Sequence, residues 1–192
     1  MDWFSSDWHL GHEAILRLVK RPFDSLEQMD EQIVANMLEG TSKGDNFYFL
    51  GDFGFKSDNI KKALEEFKKH KVRFHWILGN HDERYNLAYF ASLYESVSTR
   101  RTISRSKGDV RINLCHFPQL VWNNSFRNSY HLFGHVHASS IEQPQMSARM
   151  QGKCLNVNLE FHDYKPWSLD EVVDYMEQRD DNWDYKLWRE QE

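Results

Sequence analysis

Apolar and polar positions along the first half of the chain switch between a period near two and a period near 3.6, which predicts strands alternating with helices. The predicted elements are, in order, a strand at 2–6, a helix at 11–20 that ends before Pro22, a helix at 24–40, a strand at 46–52, a helix at 57–71 and a strand at 72–80. This βαβαβ order indicates a parallel or mixed sheet, whose strands present their carboxyl ends along one edge.

Beyond residue 94 the pattern favours short strands. Alternating apolar positions predict strands at 94–105, 109–117, 129–137 and 148–161, with turn residues between them. We therefore expect a second sheet packed on the first, and a final helix that begins at Ser168. Because 192 residues suit one core better than two, we predict a single domain over 1–192, in which 168–192 form a C-terminal helix and tail.

Charge is unevenly distributed along the chain. The formal charge is −5, but residues 168–192 carry nine acidic and three basic side chains, so the rest of the chain is close to neutral. The overall charge therefore gives no argument for a nucleic-acid partner. No apolar run reaches the roughly 18 residues that a membrane span needs, and the N-terminus lacks the pattern of a secretory signal. With only two cysteines, Cys115 and Cys154, we expect a cytoplasmic protein.

Polar side chains with metal-binding chemistry follow nearly every predicted strand, in a chain with 10 histidines. These strand-end residues are Asp7, His9, Asp52, Asn80, His116, His135 and His137. Because the carboxyl ends of the strands meet at one edge of a sheet, we expect these side chains to converge there.

The spacing of these residues suits two metal ions better than one. In an extended segment, residues i and i+2 point the same way, so Asp7 with His9, and His135 with His137, are expected to face one site. Seven oxygen and nitrogen donors exceed the four of a closed zinc site, and they fit two ions that share a bridging carboxylate. A glycine directly precedes three of the predicted ligand residues, at Gly51, Gly79 and Gly134. We expect the backbone to turn tightly at these positions.

Five blocks of residues together resemble a known family. They are Asp7-x-His9, Gly51-Asp52, Gly79-Asn80-His81-Asp82, His116 and Gly134-His135-x-His137. In this order they resemble the signature blocks of the calcineurin-like metallophosphoesterases. Residues 155–172 are similar to the closing strand, loop and helix of small stand-alone bacterial or phage members.

The resemblance implies an α/β fold, a four-layer αββα sandwich with two mixed β-sheets and a dinuclear metal site at the strand ends. It implies that metal one is held by Asp7, His9, Asp52 and His137, and metal two by Asp52, Asn80, His116 and His135. It also implies that His81 contacts the phosphate and protonates the leaving group, oriented by Asp82.

This set of residues predicts phosphoester hydrolysis by in-line attack of a metal-bridging hydroxide. In that scheme Asp82 is expected to raise the pKa of His81 toward the working pH. Mixed histidine and carboxylate donors suit several divalent ions. We expect Mn²⁺, with Fe, Zn²⁺, Ni²⁺ and Co²⁺ as alternatives.

Several other residues are weaker candidates for substrate binding. Arg17, Arg21 and Arg84 have the side chains to grip a phosphate, although helix-surface charge is the commoner interpretation. For His12 a position at a helix N-terminus competes with a substrate contact. Phe117, Trp122 and Phe126 form either an aromatic wall for a base or part of the core.

Three functions are compatible with these features. The first is a phosphoesterase acting on a small, nucleotide-like monoester or diester. The second is a nuclease with the same chemistry, favoured if the basic segment 98–111 flanks the metals with its cationic side chains on one face. The third is a non-catalytic binding scaffold, which the complete set of ligand positions argues against. We expect a small phosphoester as partner and no membrane partner. Neither the oligomeric state nor the role of the acidic tail follows from the sequence.

Overall fold

The computed structural model describes residues 1–105, 110–138, 150 and 152–180. Lys107 of the basic segment and the predicted tail beyond residue 180 lie outside the described residues.

The described chain alternates between strands and helices in its first half. In chain order the elements are β1 (Asp2–Ser5), α1 (Glu13–Leu18), α2 (Leu26–Leu38), β2 (Asn46–Phe49), α3 (Ser57–Lys69), β3 (Arg73–Ile77), β4 (Ser96–Ser98), β5 (Arg100–Arg105), β6 (Val110–Cys115), β7 (Ser129–Phe133), β8 (Cys154–Asn156), β9 (Trp167–Ser168) and α4 (Leu169–Glu177). Short 3₁₀ helices form at Leu87–Phe90 and Leu159–Phe161. The elements agree with the predicted order, apart from the segment at 94–105 and the short strand β9, which the pattern did not predict.

These strands form two mixed sheets. The first has the order β4-β3-β2-β1-β9, parallel except for β9, and the second has the order β5-β6-β7-β8, parallel except for β5. The single strand predicted at 94–105 is wrong, because the chain crosses between the sheets at Thr99. β4 pairs with β3, whereas β5 pairs with β6.

Helices α2 and α3 cover the outer face of the first sheet. Ser25 caps α2 by accepting a hydrogen bond from the Gln28 amide, as the pattern at 24–40 predicts. The amphipathic helix α3 buries one apolar face, formed by Ile60, Ala63, Leu64 and Phe67. Both helices pack on an aromatic core around Trp8, which is fully buried. This core lies directly beneath the loops that follow β1 and β2.

A second core fills the space between the two sheets. It joins residues such as Phe4 and Ile77 of the first sheet to Ile112 and Leu132 of the second. Helix α4, capped by a Ser168–Glu171 capping box, buries its apolar face in this core and packs against β1, β8 and β9. It therefore closes one side of the sandwich. The α/β fold with two mixed sheets confirms the predicted fold class. None of the helices in the described ranges is long and apolar enough to cross a bilayer.

Two buried histidines away from the strand ends are packing residues. His131 is fully buried; its Nδ1 lies 3.1 Å from the carbonyl of Asn113, and its Nε2 accepts from the amide of Gln119. Burial lowers the pKa of His131 to about 4. His75, between Ser96 and Asn46, also has its pKa lowered to about 4, chiefly by burial and then by the charge of Arg101.

We expect His75 and His131 to contribute a decrease in the free energy of unfolding as the pH falls from about 6.5 to about 4. As the pH is lowered, each ring binds a proton at a higher pH in the unfolded chain than in the folded chain. Acid therefore favours unfolding within that window. The loss is on the order of 2–3 kcal/mol for each ring. Denaturant titrations of metal-free protein at several pH values measure it. His131→Gln is expected to flatten the dependence, whereas the exposed His70→Gln is not; equal slopes for the two variants would contradict this assignment.

Candidate metal centre

The loops after β1, β2, β3, β6 and β7 bring all seven predicted ligand residues together at one edge of the sandwich. Six of them form two groups in which the candidate ligand atoms lie within 4.8 Å of one another. Group one is Asp7, His9 and His137, and group two is Asp52, His116 and His135. Each group combines residues from both sheets.

Asp52 lies between the two groups. Its Oδ2 is 3.8 Å from Nε2 of His9 in group one and 3.5 Å from Nε2 of His116 in group two. Asn80 joins group two, because its Oδ1 lies 3.1 Å from both His116 Nε2 and His135 Nδ1. The Asp52 carboxylate, which lies between the two groups, is placed to be a ligand shared by two cations.

The backbone at most of the seven ligand positions is left-handed rather than extended. Four ligand residues have a positive φ, namely Asp7 (60°), His9 (54°), Asp52 (60°) and His135 (68°). The expectation that Asp7 and His9 face the site by strand alternation is therefore wrong, since β1 already ends at Ser5. Hydrogen bonds between loops hold this conformation, from Asp7 N to Gly51 O and from His9 N to Asp52 O. Each such residue costs about 1 kcal/mol or more.

Glycines allow these loops to approach one another closely, as expected. A Cβ at Gly51 would lie 2.5 Å from the amide nitrogen of Gly79. A Cβ at Gly79 would overlap the Asp52 carboxylate, and one at Gly134 would lie 2.5 Å from Oδ2 of Asp7. Only glycine fits at these three positions without moving a ligand residue.

The state of His9 fits a bound cation. Its ring is 3% exposed, and neither ring nitrogen has a hydrogen-bond partner within the part of the chain that the structure describes. Burial, followed by the charge of Arg21, lowers the pKa of His9 well below its usual value. A neutral imidazole with an unsatisfied buried nitrogen is costly unless a further group binds it. Beside two carboxylates, this donor set suits a pair of divalent metal ions.

Glu160 contacts the ligand histidine His137 of group one. The sequence pattern did not indicate this role of Glu160. Its Oε1 lies 2.8 Å from His137 Nδ1, and its Oε2 accepts from the amide of Ala138. A carboxylate on the second ring nitrogen fixes the orientation of a ligand histidine. Asn158, whose side chain lies 3.4 Å from the same ring nitrogen, belongs to the same loop.

Arg21 is a positioning residue rather than the predicted phosphate contact. Its side chain is fully buried, so it has no surface available to a substrate. Its guanidinium donates to the carbonyls of Asp7 and Trp8, both at 2.6 Å, and to Glu160 at 3.1 Å. Arg21 thus joins the loop that carries Asp7 and His9 to the carboxylate that orients His137.

Asp82 does not orient His81, so that expectation is wrong. The Asp82 carboxylate is fully buried, and it accepts hydrogen bonds from partners other than the His81 ring. It accepts four hydrogen bonds of 2.8–3.0 Å, from the amides of Asp52, Phe53 and Gly79 and from the indole of Trp76. Burial raises the pKa of Asp82 to about 6 despite these donors. Asp82 therefore fixes the loops after β2 and β3 relative to each other.

Arg84, not Asp82, contacts the His81 ring. Arg84 donates from Nε to the His81 carbonyl, and its terminal nitrogen lies 2.8 Å from His81 Nδ1. Because a guanidinium can only donate, Nδ1 accepts and the ring proton resides on Nε2. Nε2 of His81 lies 3.8 Å from Oδ2 of Asp52, and the His81 side chain is 38% exposed. His81 thus presents a proton donor to the site.

The two remaining candidates differ in their distance from the site. His12 occupies the N-cap position of α1 and stacks on Phe55 with ring centroids 3.7 Å apart; its own ring centroid lies 5.7 Å from that of His9. Arg17 is exposed in the last turn of α1. His12 therefore lies at the rim of the site. The structure shows no contact between Arg17 and the described residues of the site.

The described arginines of the basic segment 98–111 do not all serve one free cationic face. Arg101 donates to Ser96 across the sheets, and Arg105 pairs with Asp2 and donates to Tyr48. Two of its described arginines are therefore engaged by the first sheet. This placement does not meet the condition on which the nuclease hypothesis depended.

Comparisons with known proteins agree with the geometry. A family model described as calcineurin-like phosphoesterase matches residues 3–116. Uncharacterized protein MJ1445 of Methanocaldococcus jannaschii is 28% identical over 173 residues, which cover 90% of this chain and 89% of that protein. Gene 66 protein of Mycobacterium phage L5 is 28% identical over 60% of this chain and 62% of its own length. A crystal structure of the protein of unknown function AQ665 from Aquifex aeolicus superposes with a TM-score of 0.71 at 25% identity, covering 91% of this chain and 98% of that one.

Proposed function

Because the chain belongs to the calcineurin-like phosphoesterase family, we propose that it is a hydrolase that cleaves the phosphomonoester or phosphodiester bond of a small, nucleotide-like substrate. The observation that carries the proposal is the position of Asp52, whose Oδ2 lies within 4 Å of a histidine nitrogen of each candidate group. We also propose a cytoplasmic location, which the presence of only two cysteines supports.

The proposed cofactor is a pair of divalent cations, with Mn²⁺ first among those that suit the donors. Asp7, His9 and His137 would hold one ion, Asn80, His116 and His135 the other, and Asp52 both. When bound, such a pair neutralises phosphate charge and makes a water more acidic for in-line attack.

The remaining chemistry belongs to side chains of this protein. We assign His81 Nε2 as the donor that protonates the leaving oxygen, a step that the ring performs as an imidazolium, in which Nδ1 also carries a proton and Arg84 keeps its hydrogen bond to the His81 carbonyl. Arg84 is itself exposed and stacks over the ring of Phe55 at 4.3 Å. Asp82 accepts from the Gly79 amide and so holds the backbone of the loop after β3.

We expect His81→Ala to make hydrolysis depend more steeply on the acidity of the leaving group. A phenolate that leaves readily needs little protonation, whereas a poor leaving group loses about 10²-fold or more without the acid. A series of aryl phosphodiesters that differ only in the acidity of the phenol measures this slope. His70→Ala, which removes an exposed imidazole elsewhere, is the control. An equal loss across the whole series would contradict the assignment of His81 as the acid.

The overall proposal is tested with a substrate panel. Metal-stripped protein is supplemented with Mn²⁺ and incubated with a generic monoester, a generic diester, cyclic nucleotides and single-stranded DNA. We expect hydrolysis of at least one small ester, and none without the added metal. A protein that binds no divalent metal and leaves the whole panel intact would contradict the proposal, and selective cleavage of DNA would favour the nuclease instead.

A further inference from the structure

The loop that follows β6 exposes three apolar side chains close together in sequence. Phe117 is 46% exposed, Leu120 59% and Val121 63%. We call these three residues the apolar shelf. Large exposed apolar side chains grouped in this way are typical of binding surfaces rather than of ordinary solvated loops.

Hydrogen bonds within the shelf and directly after it hold the loop in place. The Gln119 amide donates to His131 Nε2 at 3.1 Å. Trp122 is buried, and its indole donates to the carbonyl of Ser129. The Asn123 carbonyl accepts from Asn113 and from the Ser129 hydroxyl. The shelf is therefore fixed to the second sheet, so its exposure is a built feature of the fold.

The shelf borders group two of the metal centre. The Phe117 ring centroid lies 4.8 Å from that of His135 and 5.1 Å from that of His116. On the His81 side of the centre, the partly exposed His81 and the exposed Arg84 flank the half-buried Phe55. A phosphoester at group two thus has the exposed ring of Phe117 beside it. Of the candidate aromatic wall, Trp122 is a core residue and Phe117 lines the site.

We propose that the apolar shelf binds an aromatic group carried by the phosphoester, with Phe117 as the residue that determines this specificity. The inference rests on the proposed function and names the class of its substrate. An aromatic ring stacked on Phe117 removes apolar surface of both rings from water while the phosphate stays at the centre. Leu120 and Val121 are exposed in the same loop.

The test uses two diesters with the same leaving group, phenyl p-nitrophenyl phosphate and methyl p-nitrophenyl phosphate. Because p-nitrophenolate leaves in both, their ratio of kcat/KM isolates the effect of the retained group. We expect Phe117→Ala to lower this phenyl-to-methyl ratio by about fivefold to tenfold, and Phe117→Tyr to preserve it. Tyr89→Ala, which removes another exposed aromatic side chain, should leave the ratio and both rates unchanged.

A binding measurement separates this inference from the proposed function. The dissociation constants of phenylphosphonate and methylphosphonate are determined for the Mn²⁺-loaded protein and its Phe117→Ala variant. Tighter binding of phenylphosphonate that disappears in the variant supports the shelf. Equal binding of both phosphonates, or a preference that Phe117→Ala leaves intact, overturns the shelf while the proposed function stands. No binding of either phosphonate, together with no hydrolysis of either diester, overturns both.

Discussion

Asp52→Asn is expected to abolish phosphoester hydrolysis almost completely, with kcat lowered about 10³-fold or more. The substitution keeps the shape of the side chain but removes the negative charge that lies between the two candidate groups. The amide oxygen can still accept the hydrogen bond that Oδ1 takes from the His81 amide. The fold is therefore expected to survive while binding of the cation pair is lost.

Metal content and activity are measured on the same preparations of Asp52→Asn. We expect the unaltered protein to bind two divalent ions per chain and the variant to bind fewer than two, with unchanged circular dichroism. Asp24→Asn, which neutralises an exposed carboxylate away from the centre, is the matched control. Full metal occupancy and full activity in Asp52→Asn would show that this carboxylate is not shared between two ions.

Arg21→Met is expected to destabilise the protein by about 3–5 kcal/mol. The change leaves the carbonyls of Asp7 and Trp8 buried without their donor and removes a cation from Glu160. Losing one partner of a buried charge pair is costly because the other charge stays buried. Urea unfolding followed by tryptophan fluorescence measures the change, since Trp8 lies in the adjacent core.

Two further variants show whether the Arg21 effect has this cause. Arg21→Lys keeps the charge, but a single ammonium cannot reach two carbonyls and a carboxylate with the fork of a guanidinium. We therefore expect it to recover only part of the stability. Arg17→Met changes an exposed arginine one turn earlier and is expected to be nearly neutral. If Arg21→Met were as stable as Arg17→Met, the network would contribute nothing.

The convergence of the ligand residues was predictable because it follows from chain topology. Strands that run in parallel end at the same edge, so polar residues placed after β1, β2 and β3 meet there whatever the detailed backbone. The local backbone conformation of the ligand residues was less predictable. Asp7 and His9 reach the centre through left-handed residues after the strand, and strand alternation carries no information about that conformation.

The residues that support the centre were not predictable, because their contacts join distant parts of the chain. Arg21 and Glu160 are 139 positions apart and form one buried pair. Neither follows a pattern that distinguishes it from other charged residues in a helix or a loop. The family resemblance implied that Asp82 orients its neighbour His81, whereas its hydrogen-bond partners lie in the loops after β2 and β3.

The passage of the chain between the sheets at Thr99 has a mechanical consequence. One residue separates β4 from β5, so this link has no slack that would let one sheet slide along the other. Each candidate group takes residues from both sheets, so any such sliding would change the distances among the side chains within each group. The one-residue link thus helps to keep both groups assembled.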